Sequence, residues 1–159
     1  MGSRSKIDLA YIAGFLDGDG SVMLQIKKRK DGKTGIRFMP TICFYQDSRH
    51  DKTLSWIRDV FDIGYLSKRN DGMTELRING YKQIRDILVR LLPYIRFKSV
   101  QAEALHKACE TLSKGTIRTL EKEELIRLVH LILVIQKENY VTKKKRTKAE
   151  LFRILGLTP

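Results

Sequence analysis

Two aspartates and two glycines, Asp17-Gly18-Asp19-Gly20, stand where an apolar helical pattern stops and an alternating pattern begins. Carboxylates two residues apart cannot share one face of a continuous helix, so they are not a simple helical pair. The spacing predicts that the glycines at 18 and 20 end the helix near Leu16. An aspartate beside a helix C-terminus faces the negative end of the macrodipole and carbonyl groups that have no intrahelical donor. That placement costs stability unless a cation or a donor compensates, and a hard divalent metal fits it. Spacing alone leaves open a blander reading, a glycine-rich connection from helix to strand with incidental acids. A calcium loop does not fit. Counted from Asp17, its sixth position needs glycine and holds Val22, and its twelfth needs glutamate and holds Lys28.

The elements that position these groups follow from hydrophobic periodicity. Ser5 caps a helix from about Lys6 to Leu16, with Asp8 in its first turn and Leu9, Ile12, Ala13 and Leu16 as an amphipathic stripe. From Ser21 the period becomes two, and Val22, Leu24 and Ile26 alternate with Met23, Gln25, Lys27 and Arg29. The turn KDGKTG leads into a second alternation, in which Phe38, Pro40, Ile42 and Phe44 oppose Arg37, Met39, Thr41, Cys43 and Tyr45. Pro40 favours an edge or a bulge there. A helix is expected from about Asp51 to Phe61, then a second hairpin around Asp71 and Gly72. Helices follow at about 81 to 92, 98 to 113 and 121 to 138, and the basic segment KKKRTK precedes a last short helix in AELFRILGL. The order αββαββα with further C-terminal helices implies an α+β fold, a single antiparallel sheet with helices gathered on one face.

The other sheet face carries the charge. Gln25, Lys27, Arg29, Arg37, Arg69 and Arg77 are opposed there only by Glu75. A solvated face accounts for polarity but not for its sign, and a ribbon of strands fits a DNA major groove, where such side chains read base edges. The whole chain agrees. Its 159 residues carry a formal charge of +13, which favours a polyanionic partner and salt-sensitive association.

With 42% hydrophobic residues the chain is long enough for one domain, residues 1-159, with a core at about 6-113. No run approaches the roughly 18 apolar residues of a spanning helix, so no membrane partner is expected. The N-terminus has no signal-peptide pattern, so a reducing site is expected: cytoplasm or nucleoid, or the matrix of an organelle if organelle-encoded, and not secretion. Cys43 and Cys109 have no CxxC spacing, and His50, His106 and His130 form no ligand motif.

IAGFLDGDG, residues 12 to 20, resembles the motif of the LAGLIDADG homing endonucleases. The element order, the basic sheet face and the length resemble the single-motif subfamily, which is intron-encoded and homodimeric; the likeness covers about residues 7 to 112. It implies a metal-dependent endonuclease that makes a staggered double-strand break at a long pseudo-palindromic DNA site. It implies Asp19 as the catalytic carboxylate that binds the metal and the Gly18 carbonyl as a second metal ligand. Ala10, Ala13 and Gly14, within about 100° on the helical wheel, would pack on a second copy, with Asp17 as a supporting residue at that interface. YQDSRH resembles the segment whose glutamine orders water around the scissile phosphate, here Gln46, with His50 where some relatives carry arginine. PYIRFKSVQA resembles the region with a lysine near the reaction centre, here Lys98. On the DNA face the resemblance adds Met39, Thr41, Cys43 and Ser67 to Gln25, Lys27, Arg29, Arg37, Arg69, Glu75 and Arg77. The cofactor expected is Mg²⁺ or Mn²⁺, with Ca²⁺ binding without supporting cleavage. Two other functions suit the same scaffold: an RNA maturase, with intron RNA as partner, and a DNA regulator that only binds.

Overall fold

The computed structural model describes residues 5–29 and 35–157, so most of the expected KDGKTG turn lies outside the described residues. Helix α1 (Lys6–Asp19) is capped by Ser5, whose hydroxyl accepts from the Asp8 amide at 3.0 Å. It runs three residues further than its sequence pattern indicates, because nothing in the backbone of Asp17, Gly18 or Asp19 stops it. Strand β1 (Gly20–Lys28) then starts with no linker. Strand β2 (Ile36–Asp47), helix α2 (Lys52–Phe61), strands β3 (Tyr65–Lys68) and β4 (Met73–Asn79), and helix α3 (Tyr81–Leu91) follow. Three C-terminal helices complete the chain: α4 (Ser99–Leu112), α5 (Lys122–Glu138) and α6 (Lys148–Ile154).

The four strands form one antiparallel sheet in the order β1-β2-β4-β3. Burial alternates along β1 and β4, whereas β2 is buried on both faces from Pro40 to Phe44. Val22, Leu24, Ile26, Phe38, Ile42, Phe44, Leu76 and Ile78 are buried beneath the helices, each large aliphatic or aromatic side chain removed from water contributing about 1.5–3 kcal/mol before entropy is subtracted. Helix α1 packs on β1, β2 and α3, while α4 and α5 cover β1, and α6 packs on α5. Strand β2 is central to the sheet, yet at Pro40 it has a neighbour on one side only. The proline is tolerated because it pairs only with Leu24 of β1, while the β4 ladder begins beyond it at Thr41. No described helix is long and apolar enough to cross a membrane.

Helix α1 has apolar residues on both sides. Ile12, Ala13 and Leu16 face the core with no exposure, yet Ile7 and Tyr11 on the outer side are 80% and 55% exposed. A helix that is apolar all round is normally covered all round.

Candidate active site and nucleic-acid interface

Because α1 continues to Asp19, the two aspartates point in opposite directions from one helix. Asp17 is buried, and Asp19 is exposed at the last helical position. Asp17 faces the turn before α4. Its two carboxylate oxygens accept from the Arg96 amide at 2.7 Å and the Lys98 amide at 3.0 Å, and its backbone carbonyl accepts from the Lys98 ammonium. Burial pushes the Lys98 ammonium below its ordinary pKa, while the negative charges of Asp17 and Asp19 act in the opposite direction. So Lys98 and Asp19 lie within electrostatic reach of each other at the C-terminal end of α1.

The last carbonyls of α1 lack intrahelical donors, so the Gly18 carbonyl and the Asp19 carboxylate can offer oxygen to a hard cation. Among the described residues, no three His, Cys, Asp or Glu side chains converge on one cation position. An ion held by Gly18 and Asp19 would therefore not be closed by a cluster of acidic, thiol or imidazole side chains among the described residues. Register places the third catalytic candidate at the same end of the sheet: Gly20 pairs with Phe44, two residues before Gln46. The Gln46 side-chain oxygen accepts from the Asp47 amide at 2.9 Å. His50 is exposed and ends a short 3-10 turn that Asp47 caps. Arg49 in that turn grips the Asp47 carboxylate through two nitrogens, at 3.0 and 2.8 Å, and holds its pKa well below the usual carboxylate range.

The outer sheet face is built by register. Gln25 pairs with Met39 and Lys27 with Arg37, while Arg77 lies between Cys43 and Tyr65, and Glu75 lies between Tyr45 and Ser67. Lys27, Arg29, Arg37 and Arg69 are exposed, and Gln25, Met39, Ser67, Glu75 and Arg77 are half-buried. Two of the predicted contacts do not reach the surface. Thr41 and Cys43 occupy the correct face, but both have 0% exposure. Thr41 donates to the Asn79 side chain at 2.8 Å. Burial raises the Cys43 thiol pKa, with Arg77, Tyr45 and Ser21 around it. These two residues form the floor of the face and not its reading surface. Sequence reasoning missed Tyr45 and Ser21 as a pair on this face, whose hydroxyls lie 3.0 Å apart. The register of β1 on β2, not the alternation of either strand alone, brings them together.

Acids at the outer face and its hairpin are matched by arginines, Asp71 by Arg69 at 2.8 Å. Glu75 accepts from Arg77 at 3.1 Å, and Asp47 is held by Arg49. Lys27, Arg29 and Arg37 have no carboxylate partner among the described residues, which leaves the face strongly positive.

The expected interface on α1 is also revised. Ala13 is fully buried against its own sheet and Asp17 is 9% exposed, so neither presents a surface to another copy. Ala10, Gly14 and Gly18 are exposed together with Ile7 and Tyr11. A β-carbon on Gly14 or Gly18 would meet nothing within 4 Å. The chain's own packing therefore gives no reason for glycine at either position, and Gly14 costs a helix about 1 kcal/mol relative to alanine.

Comparison with known proteins places this geometry among relatives. The model of a family described as LAGLIDADG endonuclease matches residues 12–112. The DNA endonuclease I-CvuI of Chlorella vulgaris is 32% identical over 100 residues, 63% of this chain and 62% of that protein. The DNA endonuclease I-CreI of Chlamydomonas reinhardtii is 30% identical over 108 residues, 68% of this chain and 66% of that protein. These matches thus span a little under two thirds of either relative. The crystal structure of the homing endonuclease I-CvuI in complex with its target (Sro1.3), in the presence of 2 mM Ca, shares the fold with a TM-score of 0.82 at 24% identity, covering 97% of this chain and 98% of that one. A second I-CvuI complex, with the I-CreI target (C1221) in 2 mM Mg and its DNA not cleaved, gives a TM-score of 0.73 at 27% identity, covering 95% and 96%.

Proposed function

This chain belongs to the LAGLIDADG endonuclease family, and we propose that it is a site-specific DNA endonuclease that cuts both strands of a pseudo-palindromic site as a homodimer. The observation that carries the reading is the Asp19 carboxylate. It is exposed at the end of α1, makes no ion pair among the described residues, and borders a positively charged sheet face.

One chain supplies one Asp19 and one reading face, so two copies related by a twofold axis match the two strands of a duplex. The uncovered side of α1 supports pairing through that helix, with Gly14 and Gly18 allowing close approach. Asp19 and the Gly18 carbonyl would hold a divalent ion, Mg²⁺ or Mn²⁺, with Ca²⁺ binding without turnover. When bound, that ion lowers the pKa of a water nucleophile and neutralises charge at phosphate. The protein's own groups do the rest. Lys98 sets positive charge where the transition state gains negative charge, and Gln46 orients water at the same end of the sheet. Lys27, Arg29, Arg37, Arg69 and Arg77 engage the duplex, some at phosphates and some at base edges.

Incubating the protein with a library of duplexes and Mg²⁺, and sequencing every cut end, tests this reading. Cuts at related sequences with a fixed stagger support it. Binding without cutting, in any divalent metal, would assign the chain to regulation instead.

A further inference from the structure

Asp17 is a charged group placed where a charge is expensive, and both its carboxylate oxygens are committed to one turn. Removing a carboxylate from water is costly unless it is fully hydrogen-bonded. The side chains of the turn it holds reach the surface, with Arg96 exposed and Phe97 85% exposed, while its Arg96 and Lys98 amides turn inward to Asp17. The contact makes sense through what the turn carries. The side chain of Asp17 fixes the backbone of Lys98 through its amide, and the backbone of Asp17 fixes the side chain of Lys98 through its ammonium. The Lys98 carbonyl in turn accepts from the Ala102 amide at 2.9 Å, the first turn of α4. One residue of α1 therefore grips Lys98 at both ends, two positions before Asp19. A lysine left free would have to give up its rotamer entropy when it engaged the reacting phosphate. Here that ordering is completed on folding, and the ammonium rests at the negative end of the α1 dipole.

We propose that Asp17 is a positioning residue for cleavage, which acts through Lys98 by holding its ammonium beside Asp19. The role rests on the endonuclease reading and adds to it a residue that touches neither DNA nor metal. Asp17→Asn keeps the shape but leaves one oxygen for two amide donors, so Lys98 loses its fixed position while the sheet face is untouched.

The decisive experiment is a double-mutant cycle on single-turnover cleavage, with DNA affinity measured alongside. Asp17→Asn should slow cleavage at least about tenfold, since small misplacements of a reacting group are costly, and leave the DNA Kd within about threefold. Lys98→Met should slow cleavage as well. The double variant should be no slower than Lys98→Met, because groups that act as one unit are not additive. Losses that multiply would mean that Asp17 acts independently of Lys98, and would overturn the proposal. A measurement on the wild-type protein needs neither a variant nor a cleavable site. By NMR, the Lys98 Cε should be rigid compared with that of exposed Lys52, and the Arg96 and Lys98 amides should exchange slowly beside a fast Phe97. A mobile Lys98 with unprotected amides would overturn the proposal even if the protein cuts DNA. A rigid Lys98 in a protein that cuts nothing would leave the grip in place and remove its catalytic use along with the endonuclease reading.

Discussion

A β-carbon added to Gly20 would lie 2.8 Å from the Leu16 Cα and 2.8 Å from the Leu16 carbonyl oxygen. The glycine is there for space and not for conformation, because its φ of −126° is open to any residue. This approach lets β1 begin directly after α1, which holds Asp19 at the junction. Gly20→Ala should destabilise the chain by about 1–3 kcal/mol, the usual cost of overpacking against groups that cannot move. Gly18→Ala is the control, since its β-carbon meets nothing, and urea unfolding should place the two variants well apart.

The same junction shows how far the sequence could be read. The alternation from Ser21 locates β1 to within a residue. The end of α1 is misplaced because glycine at 18 looks like a stop, whereas a helix accepts glycine when its flanking turns are packed. The basic face was legible because side-chain direction alternates with period two. Which of its members reach solvent was not. Thr41 and Cys43 are covered by neighbours that only the β1-β2-β4 register supplies. Asp17 and Lys98, 81 residues apart, form a contact that no local pattern encodes; only the likeness of the PYIRFKSVQA segment to a family region placed Lys98 near the reaction centre.

Gly14 tests the pairing of α1 with a second copy. Its β-carbon position is open within the chain, so Gly14→Leu should leave the fold of one chain intact and weaken the dimer. Sedimentation of both proteins should show the variant dissociating at higher concentration. A dimer of unchanged affinity would place the interface elsewhere.

Asp19→Asn keeps the size of the side chain and removes the charge that would hold a cation. Cleavage should fall below detection while DNA affinity persists, since the basic face is untouched. Chelating divalent ions from the wild-type protein should stop cleavage in the same way, and Mg²⁺ should restore it to wild type and not to the variant. Loss of DNA binding together with cleavage would identify Asp19 as structural.

Cys109 yields a prediction about alkaline stability. Burial pushes its thiol from 9.0 up to about 12. Below about pH 9 neither the folded nor the unfolded thiol ionises, so it has no effect on stability there. As pH rises from about 9 towards 12 the unfolded chain releases a proton that the folded chain retains. Unfolding is then favoured by as much as about 1.4 kcal/mol per pH unit. Subtracting the stability profile of Cys109→Ala from that of the wild type should isolate this loss. In the folded protein the buried Cys43 and Cys109 should both react slowly with a thiol reagent at neutral pH.

Arg77 separates base reading from phosphate binding. It lies in the centre of the outer face, and its Nε donates to Glu75 at 3.1 Å, with side chains only 25% and 13% exposed. A guanidinium held by a neighbouring carboxylate presents its remaining donors in a fixed direction. This suits a paired contact to the O6 and N7 of one guanine better than a mobile contact to phosphate. Arg77→Ala should therefore cost about 1–3 kcal/mol in DNA affinity and relax preference at one base pair per half-site. Glu75→Gln should have part of the same effect, because it frees the arginine without removing it. Exposed Lys27 provides the contrast. Lys27→Ala should weaken binding about equally on all sequences and lower the salt dependence by about one phosphate contact per half-site. A binding-site selection in which Arg77→Ala behaves like Lys27→Ala, with the same base preferences as the wild type, would move sequence reading away from the centre of the sheet. The role of Asp19 would stand unaffected, since it is set at the end of α1 and owes nothing to which arginine reads a base.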